Sequence, residues 1–212
     1  MHLLNAHYRP PHTGKEPETL VVLFHGYGAH AGDLLFLAEV WSSLLPTTGF
    51  LSLDAPHALD DQRCGRYWFT LEDYDMPRIR QAIGDLGPSV RAALEPYMSP
   101  WGLAWSKVAF CGFSQGAAMA LTLGLYDLPV GGVLGYAGVF VPPAGETPQP
   151  GVHVCMIHGD ADDVVPIDLF YASEKKLTML GVPFRGLVCP GVGHSLDTSG
   201  IQEGGDFLQA IL

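Results

Sequence analysis

The chain has 212 residues, a length that suits one domain, and 48 % of them are apolar, enough for a substantial core and too many for a disordered polymer. Twenty-two acidic residues against 11 basic ones give a net charge of −11, a balance that repels phosphate backbones and argues against a nucleic-acid partner. No stretch approaches the ~18 continuous apolar residues that a spanning helix requires, so no stable membrane insertion is expected.

Short β-rich runs alternate with longer helical patterns along the chain. The run "TLVVLFHG" (19–26) is almost continuously apolar and ends in Gly, as expected of a strand buried on both faces. "GDLLFLAEVWSSLL" (32–45) follows as a helix, with Leu34, Leu37, Ala38, Trp41 and Leu45 at helical spacing and Asp33 placed to cap it. "GFLSLDAPH" (49–57) is the next strand, followed by an irregular aromatic stretch, "GRYWFTLEDYDMP" (65–77). Residues 78–97 form a broken helical region, weakened by Gly84 and by Gly87-Pro88. "KVAFCG" (107–112) predicts a strand and "QGAAMALTLGLY" (115–126) a helix. "GGVLGYAG" (131–138) and "VHVCMIHG" (152–159) predict two more strands. A helix over 167–181 closed by Gly181, a strand over 183–191 and a helix over 201–212 complete the chain. The alternation predicts an α/β fold in one domain, residues 1–212, with a mostly parallel sheet and helices on both faces. In such sheets ligands bind at the carboxyl ends of the strands.

The chemistry concentrates at those ends. Gly112-Phe113-Ser114-Gln115-Gly116 matches G-x-S-x-G between a predicted strand and a predicted helix. A sharp strand-to-helix turn crowds its backbone, so small residues two positions either side of the serine relieve the clash and the hydroxyl is lifted above the sheet. The plainer alternative is a glycine-rich turn whose serine caps the helix. A serine hydroxyl becomes a nucleophile only when a neighbouring base takes its proton, and on such a turn the partners follow in the order Ser, acid, His. Downstream histidines are His153, His158 and His194. His153 falls within a strand, and His158 precedes every candidate acid. His194 lies in the Gly-rich loop "PGVGHSLD" after the last strand and is the expected base. The acid comes from "HGDADDVVP", which offers Asp160, Asp162 and Asp163, and composition does not separate them. Donors for a developing oxyanion are expected from the Gln115 N–H and, in "HGYGAH" (25–30), the Tyr27 N–H, with His25 as a structural hydrogen-bonder.

Taken together, "HGYGAHAGDLLFLA", "DAPH" followed by "GRYWF", "CGFSQGAAMAL", "HGDADDVVP" and "GVGHS" resemble the phospholipase/carboxylesterase family of α/β-hydrolases, which includes bacterial carboxylesterases and acyl-protein thioesterase/lysophospholipase enzymes. The matches run in the expected order from about residue 20 to 195. The resemblance implies an α/β-hydrolase fold, Ser114 as nucleophile, His194 as base and Asp162 as its acid, with the Tyr27 and Gln115 N–H groups as the oxyanion hole. It also implies a small-molecule ester substrate. "HGYGAHAGD" departs from the thioesterase-like "HGLGD" through Ala29-His30, which leans towards the carboxylesterase branch.

For substrate contacts, Tyr67, Trp68, Phe69 and Leu71 either flank an acyl pocket or pack a core or lid, and Phe140, Val141 and Pro142 are candidates for the opposite wall. No long insertion after residue 138 supplies a large lid, which favours small or single-chain esters. A non-catalytic binding module on this fold would usually have lost a Ser, His or Asp, and none is missing. No CxxC pair or Cys/His cluster offers metal-ligand spacing, so neither a metal nor another cofactor is expected. Cys111, Cys155 and Cys189 sit in or beside apolar runs; as free thiols they fit a reducing compartment, with a Cys155–Cys189 pair as the alternative. The N-terminus lacks the pattern of a signal peptide, so a cytoplasmic protein is expected, with a homodimer left open.

Overall fold

Apolar runs with no polar face have to be covered on both sides, and this chain places them in the middle of one sheet. The structure is a computed structural model and describes residues 4–59, 65–71 and 75–212. The sheet strands are β1 (Ala6–Arg9), β2 (Thr19–Phe24), β3 (Thr48–Leu53), β6 (Val108–Phe113), β7 (Gly132–Tyr136), β8 (His153–Gly159) and β9 (Phe184–Cys189). Two short strands, β4 (His57–Ala58) and β5 (Arg66–Tyr67), form a separate antiparallel ribbon. The seven-stranded sheet runs β1-β3-β2-β6-β7-β8-β9, parallel throughout except for β1, which pairs antiparallel with β3. This is the mostly parallel α/β sheet that the alternation predicts, and the α/β-hydrolase architecture that the family resemblance implies.

Each central strand feeds two cores. Leu20, Val22 and Phe24 of β2 join the core that includes α2 (Met76–Leu94), α3 (Gln115–Thr122) and α4 (Ile167–Met179). Val21 and Leu23 face the other side, where α1 (Phe36–Trp41) and α5 (Thr198–Ile211) pack with Leu37, Trp41, Phe207 and Leu208. Side-chain alternation along one strand thus supplies both layers.

Several local expectations are corrected. The helix expected over 32–45 is a 3₁₀ turn, Ala31–Leu34, followed by the six-residue α1. Asp33 does not occupy the capping position; His30 does. Gly32 N–H donates to His30 Nδ1 at 3.1 Å, and His30 N–H donates to Asp33 Oδ2 at 2.9 Å. The region expected to break at Gly84 and Gly87-Pro88 is one continuous helix, α2, with Pro88 inside it. Strands β1 and β5 occupy stretches without a strand expectation, and the strand expected over 49–57 ends at Leu53, with its last residue, His57, opening β4. The helix expected from residue 201 starts at Thr198, because Asp197 accepts the N–H groups of Ser199 and Gly200. Cys64 and residues 72–74 of the aromatic stretch lie outside the described residues.

Candidate active site

Ser114 stands where β6 turns into α3. Its φ of 54° and ψ of −117° belong to a region that side-chain-bearing residues rarely occupy. Both flanking glycines are imposed by backbone contact. A Cβ on Gly112 would lie 2.1 Å from the Gly116 carbonyl oxygen, and one on Gly116 would lie 2.0 Å from that of Phe24. The Ser114 N–H donates to the Tyr136 carbonyl at 2.9 Å, hooking the turn onto β7. Its hydroxyl does not cap α3. Instead Ser114 Oγ lies 3.0 Å from His194 Nε2.

His194 follows β9 and rests its ring on Phe113, with centroids 4.9 Å apart. On its far side His194 Nδ1 is 2.8 Å from Asp162 Oδ2. Because an ionised carboxylate only accepts, Nδ1 carries the proton and Nε2 is left to accept from the serine hydroxyl. The Asp162 side chain is fully buried, and its Oδ1 accepts from the N–H groups of Val164 at 2.9 Å and Val165 at 2.8 Å. Burial alone raises its pKa. The hydrogen bonds from His194, Val165 and Val164 outweigh that effect and hold the carboxyl below the usual range, so it stays ionised.

The other candidates separate cleanly by position. Asp160 is exposed and its Oδ1 accepts the Gly191 N–H at 2.6 Å, tying two loops together. Asp163 is exposed. His158 is buried, with Nε2 2.8 Å from the Val165 carbonyl and 3.3 Å from Asp162 Oδ2. His153 is exposed at the start of β8.

The glycine-rich loop after β2 closes over the serine. A Cβ on Gly26 would sit 3.5 Å from Ser114 Cβ, so this backbone passes directly beside the hydroxyl-bearing carbon. Gly28 has φ 79°, and its N–H donates to the Arg66 carbonyl at 2.8 Å, while the Arg66 N–H donates to Ala29 at 2.9 Å. Among the described residues, no hydrogen bond engages the N–H of Tyr27 or of Gln115. His25 is buried; its Nδ1 is 2.7 Å from the Gly26 carbonyl and its Nε2 accepts the Ala55 N–H at 3.0 Å. Burial lowers its pKa, partly opposed by the Gly26 bond, and the two bonds describe a neutral imidazole.

Of the residues weighed as substrate contacts, Trp68 (1 % exposed), Phe69 (4 %) and Phe140 (5 %) are buried in the core. Trp68 packs against Phe24 and His25, and Phe140 stacks on Tyr126. These contacts are those of packing residues. Leu71 is exposed, and Tyr27 is half exposed with its ring 5.6 Å from that of Tyr67. The sequence reading missed the side chain of Gln115. It is buried, its Oε1 accepts the Trp68 N–H at 2.8 Å, and its Nε2 donates to the Phe69 carbonyl at 2.7 Å. Backbone partners 46 and 47 residues away leave no pattern in the sequence. Among the described residues, no group of three or more His, Cys, Asp or Glu could hold a metal ion, and no helix is long and apolar enough to cross a membrane.

Comparison with known proteins gives the family of the chain. A phospholipase/carboxylesterase family model matches residues 11–212. Esterase YpfH of Escherichia coli (strain K12) is 22 % identical over 92 % of this chain and 84 % of its own. Acyl-protein thioesterase 1 of Aspergillus fumigatus is 25 % identical over 93 % of this chain and 90 % of its own. The crystal structure of esterase PE8 superposes with a TM-score of 0.85 at 31 % identity, covering 99 % of this chain and all of that one. A family match across nearly the whole chain, on a shared fold, establishes the class of chemistry: the chain belongs to the phospholipase/carboxylesterase family and is a serine hydrolase of the carboxylic-ester type.

Proposed function

We propose that the chain hydrolyses small or single-chain carboxylic esters through a Ser114–His194–Asp162 triad and an acyl-enzyme intermediate. The observation that carries this reading is the unbroken hydrogen-bonded path from Ser114 Oγ through His194 to Asp162, at 3.0 and 2.8 Å. Ser114 Oγ attacks the acyl carbonyl while His194 Nε2 takes its proton, and the charge of Asp162 stabilises the imidazolium that forms. The carbonyl oxygen becomes an oxyanion received by the Tyr27 and Gln115 N–H groups. Each such donor is worth about 2.7–4 kcal/mol of barrier. His194 then protonates the departing alcohol. A water repeats the sequence on the acyl-enzyme, giving its proton to His194, and the acid leaves as Ser114 recovers its hydrogen. No step requires a cofactor.

The acyl and alcohol groups bind beside Ser114, with Leu71 and Tyr27 as the candidate exposed apolar contacts, while Trp68, Phe69 and Phe140 belong to the core. Acyl thioesters or lysophospholipids are the second reading; the match to an acyl-protein thioesterase favours the thioesters. The fold reading takes residues 1–212 as one domain, supported by the two cores that share a single sheet. A reducing cytoplasm suits the buried free thiols Cys111, Cys155 and Cys189, of which Cys155 is pushed up to about 12 by burial.

A fluorophosphonate probe tests the nucleophile: wild type is expected to label and Ser114→Ala to remain unlabelled. Equal labelling of the two, or none of the wild type, rejects the triad. A panel of p-nitrophenyl esters of rising chain length, run beside lysolipids and acyl-peptide thioesters, separates the two substrate readings.

A further inference from the structure

The proposed oxyanion hole draws its two N–H groups from different elements. Tyr27 lies in the loop after β2, whereas Gln115 is the first residue of α3. Two donors must converge on one oxygen to within a fraction of an ångström, and a misplacement of 1 Å in an active site can cost about 100-fold in rate. Something must hold the loop to the helix.

The contacts that do so run through buried side chains. Gln115 reaches away from the serine and grips the backbone of the aromatic segment on both sides, accepting from Trp68 N–H at 2.8 Å and donating to the Phe69 carbonyl at 2.7 Å. Trp68 then donates its indole N–H to the His25 carbonyl at 2.9 Å. His25 is the residue before Gly26-Tyr27, and its own ring is pinned at both nitrogens, by the Gly26 carbonyl and the Ala55 N–H. The ring of Trp68 lies 5.4 Å from that of His25. Trp68, Gln115 and His25 are all buried, so water does not compete for these bonds. The path therefore begins at the residue that offers one oxyanion donor and ends two residues before the other.

We infer that the Gln115 side chain and the Trp68 indole are positioning residues that hold the Tyr27 N–H in register with the Gln115 N–H, and thereby set transition-state stabilisation. This rests on the triad and oxyanion reading above. The chemistry explains the residue types. A carboxamide presents its donor and its acceptor on two separate atoms of one planar group, as the Phe69 carbonyl and Trp68 N–H demand, and Gln has the reach that this spacing requires. A Glu at 115 would set a carboxylate oxygen against the Phe69 carbonyl. Of the large aromatic rings, only tryptophan adds an N–H on the ring that reaches the His25 carbonyl while filling the core beside Phe24.

The test uses Trp68→Phe, which keeps an aromatic ring and removes the indole N–H, and Gln115→Met, which keeps side-chain length and the backbone N–H but removes both amide bonds. Each variant is measured for kcat and KM on a short p-nitrophenyl ester, for inhibition by an alkylboronic acid that forms a tetrahedral adduct on the serine, and for thermal midpoint. The inference expects kcat to fall about tenfold or more, with KM within about twofold of wild type. Boronate affinity should fall in parallel with kcat. A folded variant of either kind that keeps wild-type kcat and boronate affinity, even at a lower midpoint, overturns the inference and leaves a packing role. Ser114→Ala separates the two levels of the argument. If wild-type turnover does not depend on Ser114, the triad reading fails first; if it does and the variants behave as wild type, only the positioning role is lost.

Discussion

Ser114 is held in a conformation that its own side chain disfavours. A non-glycine residue at φ 54°, ψ −117° carries about 1–3 kcal/mol of backbone strain. The strain is maintained by contacts that bear on either side of it, the Gly112–Gly116 backbone approach and the Ser114 N–H bond to Tyr136. Ser114→Gly should therefore be inactive yet more stable than the equally inactive Ser114→Ala, by about 1 kcal/mol once the extra freedom of unfolded glycine, about 0.5–1 kcal/mol, is set against the relief. Chemical denaturation of the two variants gives the comparison, and a more stable alanine variant would show that the turn imposes no strain at that residue. At this scale the sequence is unevenly legible. The serine stands out between Gly112 and Gly116 and the histidine just after Gly191 and Gly193, whereas the three neighbouring aspartates are alike in composition; the family resemblance points to Asp162, and burial separates it from the exposed Asp160 and Asp163. Trp68, Phe69 and Phe140 carry no mark that separates a pocket wall from a core, since both need large apolar side chains.

Elements depart from their sequence patterns where local preference and burial disagree. In α2 the interior proline costs about 3 kcal/mol and each glycine about 1 kcal/mol relative to alanine. Against this, Ile79, Ile83, Leu86, Val90 and Leu94 form a buried stripe, each worth about 1.5–3 kcal/mol. The stripe wins, and the helix is continuous. Gly87 has a specific part in this outcome. A residue before proline is pushed out of the helical region by a clash that involves its Cβ, and Gly87 has none. Space is not the obstacle, because a Cβ there would meet its nearest neighbour, Leu123, at an ordinary 3.5 Å. Gly87→Ala alone is thus expected to destabilise, while the same change in a Pro88→Ala background should stabilise by about 0.5–1 kcal/mol. A double-mutant cycle by urea denaturation reads the change of sign, and the same sign in both backgrounds would remove the proline from the explanation. The four-residue β1 is hard to read from sequence for the opposite reason: its alternation of exposed and half-buried residues in "AHYR" is too short and too polar to rise above the loops around it.

Across the whole molecule, the alternation of apolar strands and helices made a parallel sheet legible, since only burial on both faces explains such runs. The spatial order of strands is another matter, because pairing partners are set by long-range packing that no single segment encodes. That order matters for how the site comes into being. Its parts follow β2, β6, β8 and β9, and β9 pairs with β8 alone at one edge of the sheet. His194 meets Ser114 across 80 residues of chain and Asp162 across 32. Contacts of such separation form late, after the entropy of closing long loops has been overcome. On refolding from denaturant, far-UV ellipticity should therefore recover ahead of ester turnover; coincident recovery would mean that β9 docks with the bulk of the sheet. If the proposed triad carries turnover, a partly folded chain, however rich in helix and strand, has no hydrolytic site to release prematurely, and the appearance of turnover times the arrival of the last edge.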